Sequence, residues 1–166
     1  MKKQTLQPAD YLKKILTARV YDVAIESALE PARALGRRLH NTVLLKREDQ
    51  QSVRSFKLRG AYNKMVHLSP EQLKKGVICA SAGNHAQGVA WAAKKLGIAA
   101  TIVMPSNAPR MKLEATKALG AQVLLYDRAT ESRDEVAADL IAQNGATLVH
   151  AFGDPWVIEG QGTAGI

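Results

Sequence analysis

The sequence predicts an α/β fold built on a small, doubly wound parallel sheet, and three observations carry that prediction. Four short apolar runs, residues 77–80, 101–104, 122–126 and 147–150, recur at intervals of roughly two dozen residues. Between them, residues 88–96, 110–119 and 133–143 place apolar side chains three and four positions apart, the period of an amphipathic helix. Gly97, Gly120 and Gly145 then stand where helix C-caps belong. Strand, helix and strand joined by short connections make right-handed βαβ units, hence a parallel sheet with helices on both faces. The regular interval is what one strand–helix unit occupies rather than a repeat, because the helical segments share no sequence.

Composition bounds the rest. At 166 residues, 46% hydrophobic and 23% charged, the chain is long enough to bury a core and reads as globular rather than disordered. No apolar stretch follows Lys2 and Lys3, and no apolar run could span a bilayer, so the expectation is a cytoplasmic protein with no membrane partner. Cys79, the single cysteine, can form no internal disulfide and reads as a small core residue in mid-strand. His40, His67, His85 and His150 show no ligand spacing with it, so no metal is expected. A net charge of +8 suits a nucleic-acid surface, an acidic small-molecule ligand or solvated faces. The basic pairs Lys13-Lys14, Arg37-Arg38, Lys74-Lys75 and Lys94-Lys95 lie mostly at helical positions beside apolar ones, without interleaved aromatics, which argues against nucleic acid.

From the N-terminus, residues 10–16 read as a helix capped by Asp10, and residues 30–39 as a second helix with Pro31 in its first turn. Asn41 punctuates the chain. Residues 42–45 form an apolar, β-branched run that enters the charged Lys46-Arg47-Glu48-Asp49 and reads as a strand leading to Ser55-Phe56-Lys57-Leu58-Arg59-Gly60. There Lys57 stands between apolar neighbours ahead of a helix. Burial disfavours an ammonium and can turn a lysine amine into a nucleophile for carbonyls, although a lysine so flanked can also simply snorkel to the surface. Ser81, Ala82, Gly83, Asn84 and His85 follow the first sheet strand at its carboxyl end, where parallel sheets bind ligands. Amides at the start of the next helix suit an anion such as a carboxylate, and Gly83 lets a backbone come close. The same residue types can do no more than turn the chain. Val89 and Ala90 stand where a P-loop needs Lys and Ser or Thr, and no G-x-G-x-x-G follows a strand, so no nucleotide site is indicated. Residues 155–166 read as the opening turns of a further helix.

Ser-Phe-Lys-Leu-Arg-Gly at 55–60, followed by Ser-Ala-Gly-Asn-His-Ala-Gln-Gly at 81–88, resembles the pyridoxal-phosphate (PLP) enzymes of the tryptophan-synthase-β fold, fold type II. Among these, the biosynthetic threonine dehydratases are most similar, from about Tyr11 to the last residue. The resemblance implies that Lys57 is the catalytic lysine that forms a Schiff base with the cofactor, that Phe56 packs beside the cofactor ring, and that Asn84 hydrogen-bonds the phenolic oxygen. It implies that Ser81, Ala82, Gly83, Asn84 and His85 hold the substrate carboxylate. The implied activity is dehydration and deamination of L-threonine to 2-oxobutyrate and ammonia, toward isoleucine, by a homo-oligomer of the full-length enzyme. A serine dehydratase or racemase shares the lysine logic, and a non-catalytic fragment that associates with a complementary chain is the alternative of a different class. Residues 1–60 would begin a larger α/β domain, 61–154 would form the small parallel-sheet domain, and 155–166 would start the return, cut short. The phosphate-binding glycine loop and the residue facing the pyridine nitrogen would then lie outside this stretch, so little or no turnover by it alone is expected. Ser27-Ala28 and, nearer the lysine, Ser52 and Arg54 depart from the family pattern. The Arg54 guanidinium would favour a neutral Lys57 by repulsion or alter substrate access. For His85 and Gln87, both an acid–base role and a hydrogen-bonding one are open.

Overall fold

A computed structural model describes residues 7–166, so the expectation attached to Lys2 and Lys3 lies outside the described residues. Helix α1, Pro8–Leu16, begins earlier than the sequence reading placed it. Gln7 is the cap, and Asp10 sits in the first turn, its carboxylate accepting the Gln7 N–H at 3.0 Å. Pro8 explains the shift: its fixed φ and missing N–H suit the first helical position.

Residues 30–39 are not one helix. Leu29–Pro31 forms strand β1, and only Arg33–Leu39, helix α2, is helical. The physical reason is pairing. Strand β2, Leu44–Lys46, needs a partner for its backbone groups, and β1 supplies it in antiparallel register, Leu29 opposite Lys46 and Pro31 opposite Leu44. The Ala32 N–H donates to Val43 O at 2.8 Å, which extends that pairing to the foot of α2.

Beyond a 3-10 turn at Glu48–Gln50 the order is regular: α3 Lys57–Met65, α4 Pro70–Lys75, β3 Val77–Ala80, α5 Asn84–Leu96, β4 Ala100–Pro105 and α6 Arg110–Ala118. Then follow β5 Gln122–Tyr126, α7 Arg133–Asn144, β6 Thr147–Leu148, α8 Pro155–Gly162 and a closing 3-10 turn at Thr163–Gly165. Helix α5 starts four residues before its apolar periodicity does, which brings Asn84 and His85 into its first turn.

All four strands β3 to β6 are parallel, in the order β5-β4-β3-β6. The chain steps outward from β3 through β4 to β5 and then returns to the other side of β3. Strand order therefore reverses between β3 and β6, and an open parallel sheet leaves its ligand crevice at the carboxyl ends of such a pair. Helices cover both faces, as predicted. On one, α3 and α5 pack Leu58, Met65, Val89 and Ala93 with Cys79, Ile102 and Met104; on the other, Ala137 of α7 packs with Ile78, Val103 and Tyr126. Cys79 is a core residue whose thiol burial pushes well above its ordinary pKa.

Helix α3 is held between α5 and α8 at close range. A Cβ on Gly160 would lie 2.7 Å from Arg59 O, which leaves no room for a side chain, and one on Gly88 would press on Lys57 C and Leu58 N at 3.0 Å. These contacts fix the first turn of α3, where Lys57 sits. Among the described residues no helix is long and apolar enough to cross a membrane.

Candidate active site

Lys57 is the first residue of α3, and Phe56 is its N-cap. The Lys57 N–H donates to Ser55 Oγ at 3.1 Å, which turns the chain into the helix. Its half-buried side chain crosses to the β6–α8 connection, where Nζ donates to Ala151 O at 3.0 Å. The Phe56 ring lies beside it, with its centroid 5.2 Å from Nζ, and is 39% exposed. One aromatic face is thus available next to the amine.

The β3–α5 loop lies at the switch point. Ser81 N–H continues the ladder to Val103 O at 3.0 Å, and Ser81 Oγ accepts the Gly83 N–H at 3.3 Å. Ser81, Ala82 and Gly83 are half-buried and Asn84 is exposed. No side chain caps α5, and a Cβ built on Gly83 would meet nothing within 4 Å. Unpaired amides and the positive end of a helix of 13 residues therefore adjoin open space.

His85 is 4% exposed, and its Nε2 lies 2.8 Å from Val149 O. A carbonyl only accepts, so Nε2 carries the hydrogen and Nδ1 is a bare, buried lone pair, with no partner in the structure. Burial is the main influence and holds the imidazole below its ordinary pKa; the Val149 bond opposes it, while the charges of Lys57 and His150 reinforce it. Residue Arg54 is exposed and adopts a left-handed backbone, φ 52°.

The structure thus brings Lys57 and His85 onto two carbonyls of one connection, Val149 and Ala151, beside the loop of Ser81, Ala82, Gly83 and Asn84. Sequence reasoning missed those carbonyls, because backbone acceptors leave no trace in a side-chain pattern. It also missed the support beneath Lys57. Arg59, 1% exposed, donates from Nε and Nη2 to the two Glu48 oxygens, each at 2.8 Å, from Nη2 to Ile25 O at 3.0 Å and from Nη1 to Thr163 Oγ1 at 3.2 Å. Glu48 Oε1 also accepts from Ser27 Oγ at 2.6 Å and Gln51 Nε2 at 3.2 Å. The available signal was Arg59 itself, inside the lysine motif, with an acidic pair a few residues upstream.

Residues 21–166 match the family model for the pyridoxal-phosphate-dependent enzymes. The chain belongs to that family. It is 56% identical over 157 residues to the biosynthetic L-threonine dehydratase IlvA of Burkholderia multivorans, covering 93% of this chain and 31% of that protein. A biosynthetic, chloroplastic threonine dehydratase 2 of Solanum lycopersicum is 53% identical over 93% of this chain and 26% of its own length. The chain therefore spans about a third or less of these curated relatives. Among solved structures, the processed form of threonine deaminase isoform 2 from Solanum lycopersicum superposes with a TM-score of 0.88 at 50% identity, over 99% of this chain and 49% of that one. Maize serine racemase gives 0.86 at 35% identity, over 93% and 47%.

PLP needs an amine for its carbonyl, a flat apolar neighbour for its ring, a hydrogen-bond donor for its phenolic oxygen and amides for its phosphate. The residues present fit the reactive end of the group: Lys57 offers an amine, the partly exposed Phe56 an aromatic ring beside it, and Asn84 an exposed side-chain amide at the start of α5. Among the described residues no glycines are adjacent in sequence to form a phosphate cup.

Proposed function

We propose that this chain carries the Schiff-base lysine and the substrate-carboxylate loop of a PLP-dependent threonine ammonia-lyase, which converts L-threonine to 2-oxobutyrate and ammonia. The observation that supports it best is that Lys57 and His85, in the first turn of the uncapped α5, bond the Ala151 and Val149 carbonyls of one connection at the β3–β6 switch point. Relatives at 50% identity and above whose names or titles say threonine dehydratase or deaminase point to the substrate.

Bound PLP supplies a carbonyl that condenses with amines and an electron sink for the pair released at the substrate α-carbon. Lys57, once free, takes the α-proton on Nζ. Amides of residues 83–85, the dipole of α5 and the Ser81 hydroxyl hold the substrate carboxylate. Asn84 donates to the phenolic oxygen of the cofactor, and Phe56 packs against its ring. His85 stays neutral and serves as a hydrogen-bonding fixture rather than a proton donor. The β-hydroxyl leaves with that proton as water, and a second water releases the amino group as ammonia.

Residues 1–60 and 155–166 then belong to a larger domain, 61–154 to the small one, and the full enzyme is a cytoplasmic homo-oligomer of isoleucine biosynthesis. Action on serine is the second reading, favoured by the fit to maize serine racemase. Titration with PLP tests the proposal. A near-visible band of a lysine–cofactor adduct should arise in the native chain, be lost in Lys57→Ala, and respond to threonine more than to serine. A band of equal strength in Lys57→Ala would refute the assignment.

A further inference from the structure

The connection between β6 and α8 is anchored at both ends. Val149 N–H donates to Ile78 O at 2.8 Å as the last bond of the sheet. At the far end Asp154 Oδ1 caps α8 by accepting Trp156 and Val157 N–H at 2.9 and 3.3 Å, while its Oδ2 pairs with Lys64 of α3 at 2.7 Å. The middle is held by His150, whose Nδ1 accepts Gly153 N–H at 2.8 Å and Phe152 N–H at 3.3 Å. Both donors are amides, so Nδ1 carries the lone pair. The ring is braced edge-on by Phe152, with centroids 4.5 Å apart at 83°.

We infer that His150 is a positioning residue that folds this connection into the turn whose carbonyls hold Lys57 and His85. Ala151, the acceptor for Lys57, is the residue enclosed by that turn. Behind it lies a cavity of about 200 Å³ lined by Ala80, Ile141, Leu148, His150, Ala151 and Phe152. Without the δ acceptor the segment has space to relax into, and Ala151 O withdraws from Nζ. The bearing of this on catalysis rests on the role proposed for Lys57; the geometry does not. Side-chain acceptors that bond amides two and three residues on are the mark of Asx-type turns, so an Asn at 150, with Oδ1 where His has Nδ1, keeps the device.

The test is competitive acetylation of the full chain by trace acetic anhydride, without cofactor, with exposed Lys94 as the internal reference. In His150→Ala and His150→Leu the Lys57 to Lys94 ratio should rise about fivefold, the factor given by one lost hydrogen bond of ordinary net strength. His150→Asn should match the native chain. All three variants are uncharged at position 150, so charge cannot separate them, and Leu keeps much of the ring's volume. Unchanged ratios in the apolar variants, or a rise in the Asn variant equal to theirs, would overturn the inference. If, by circular dichroism, the apolar variants fail to fold and Asn folds, the acceptor is needed for the turn to form, as inferred; failure of all three overturns it. A chain that takes no PLP on Lys57 refutes the proposed function without touching this result.

Discussion

Glu48 and Arg59 show how a buried charge is kept. Burial pushes the Glu48 carboxyl upward, but the two bonds from Arg59, with those from Ser27 and Gln51, outweigh it and leave the group below its ordinary value. Its stabilising contribution is thus complete above the unfolded carboxylate pKa of about 4.3 and is lost as pH falls through the lower folded value. At neutral pH, Glu48→Gln strands a guanidinium that is 1% exposed and should lower the unfolding free energy by about 3 kcal/mol in urea titrations. His85 acts earlier on the pH scale. Its folded pKa is depressed, so the unfolded chain takes up the proton first, and stability falls as pH drops below about 6.5. Replacing His85 by Leu should flatten that part of the profile of unfolding free energy against pH; an unchanged slope would deny that the buried imidazole is neutral. At this scale the sequence pointed to Lys57 and the 81–85 loop through the two motifs that resemble the family, since the residue types alone also allow a snorkelling lysine and a simple turn. It hid Arg59–Glu48, since a glutamate in a charged run looks solvated until the fold buries it.

Among the elements, α5, α6 and α7 were legible because each carries apolar residues at helical spacing, and the parallel strands because, covered on both faces, they read as short continuous apolar runs. Helix α1, read from residues 10–16, carries Leu12, Ile15 and Leu16 at helical spacing although it buries no residue; α2 buries none either, and the sequence reading ran it together with β1. Strand β1 exists because β2 pairs with it, a tertiary cause that local propensity cannot report. Two substitutions test the element account. His40 ends α2 in a left-handed conformation, φ 50°, which a glycine adopts freely. His40→Gly should therefore stabilise the chain by about 0.5 kcal/mol, after allowance for the entropy that glycine adds to the unfolded state. Gly160→Ala should do the reverse. Its methyl would be driven against the backbone of α3, and a loss of about 2 kcal/mol or more is expected in thermal or chemical unfolding.

On the scale of the whole molecule, the candidate site follows from strand order. Spacing alone predicts a parallel sheet, but not that β6 returns beside β3; that return sets the 149–153 connection against the β3–α5 loop and delivers two carbonyls to Lys57 and His85. The β3–α5 loop was placed at a strand end from sequence, and the crevice it faces became visible only with the order β5-β4-β3-β6. The central claim is that this architecture singles out Lys57 from the 13 lysines of the chain. Mixing the chain with PLP, reducing with borohydride and mapping the modified residues by mass spectrometry tests it most directly. The account predicts label concentrated on Lys57. Label spread evenly over exposed lysines such as Lys13 and Lys94 would contradict it.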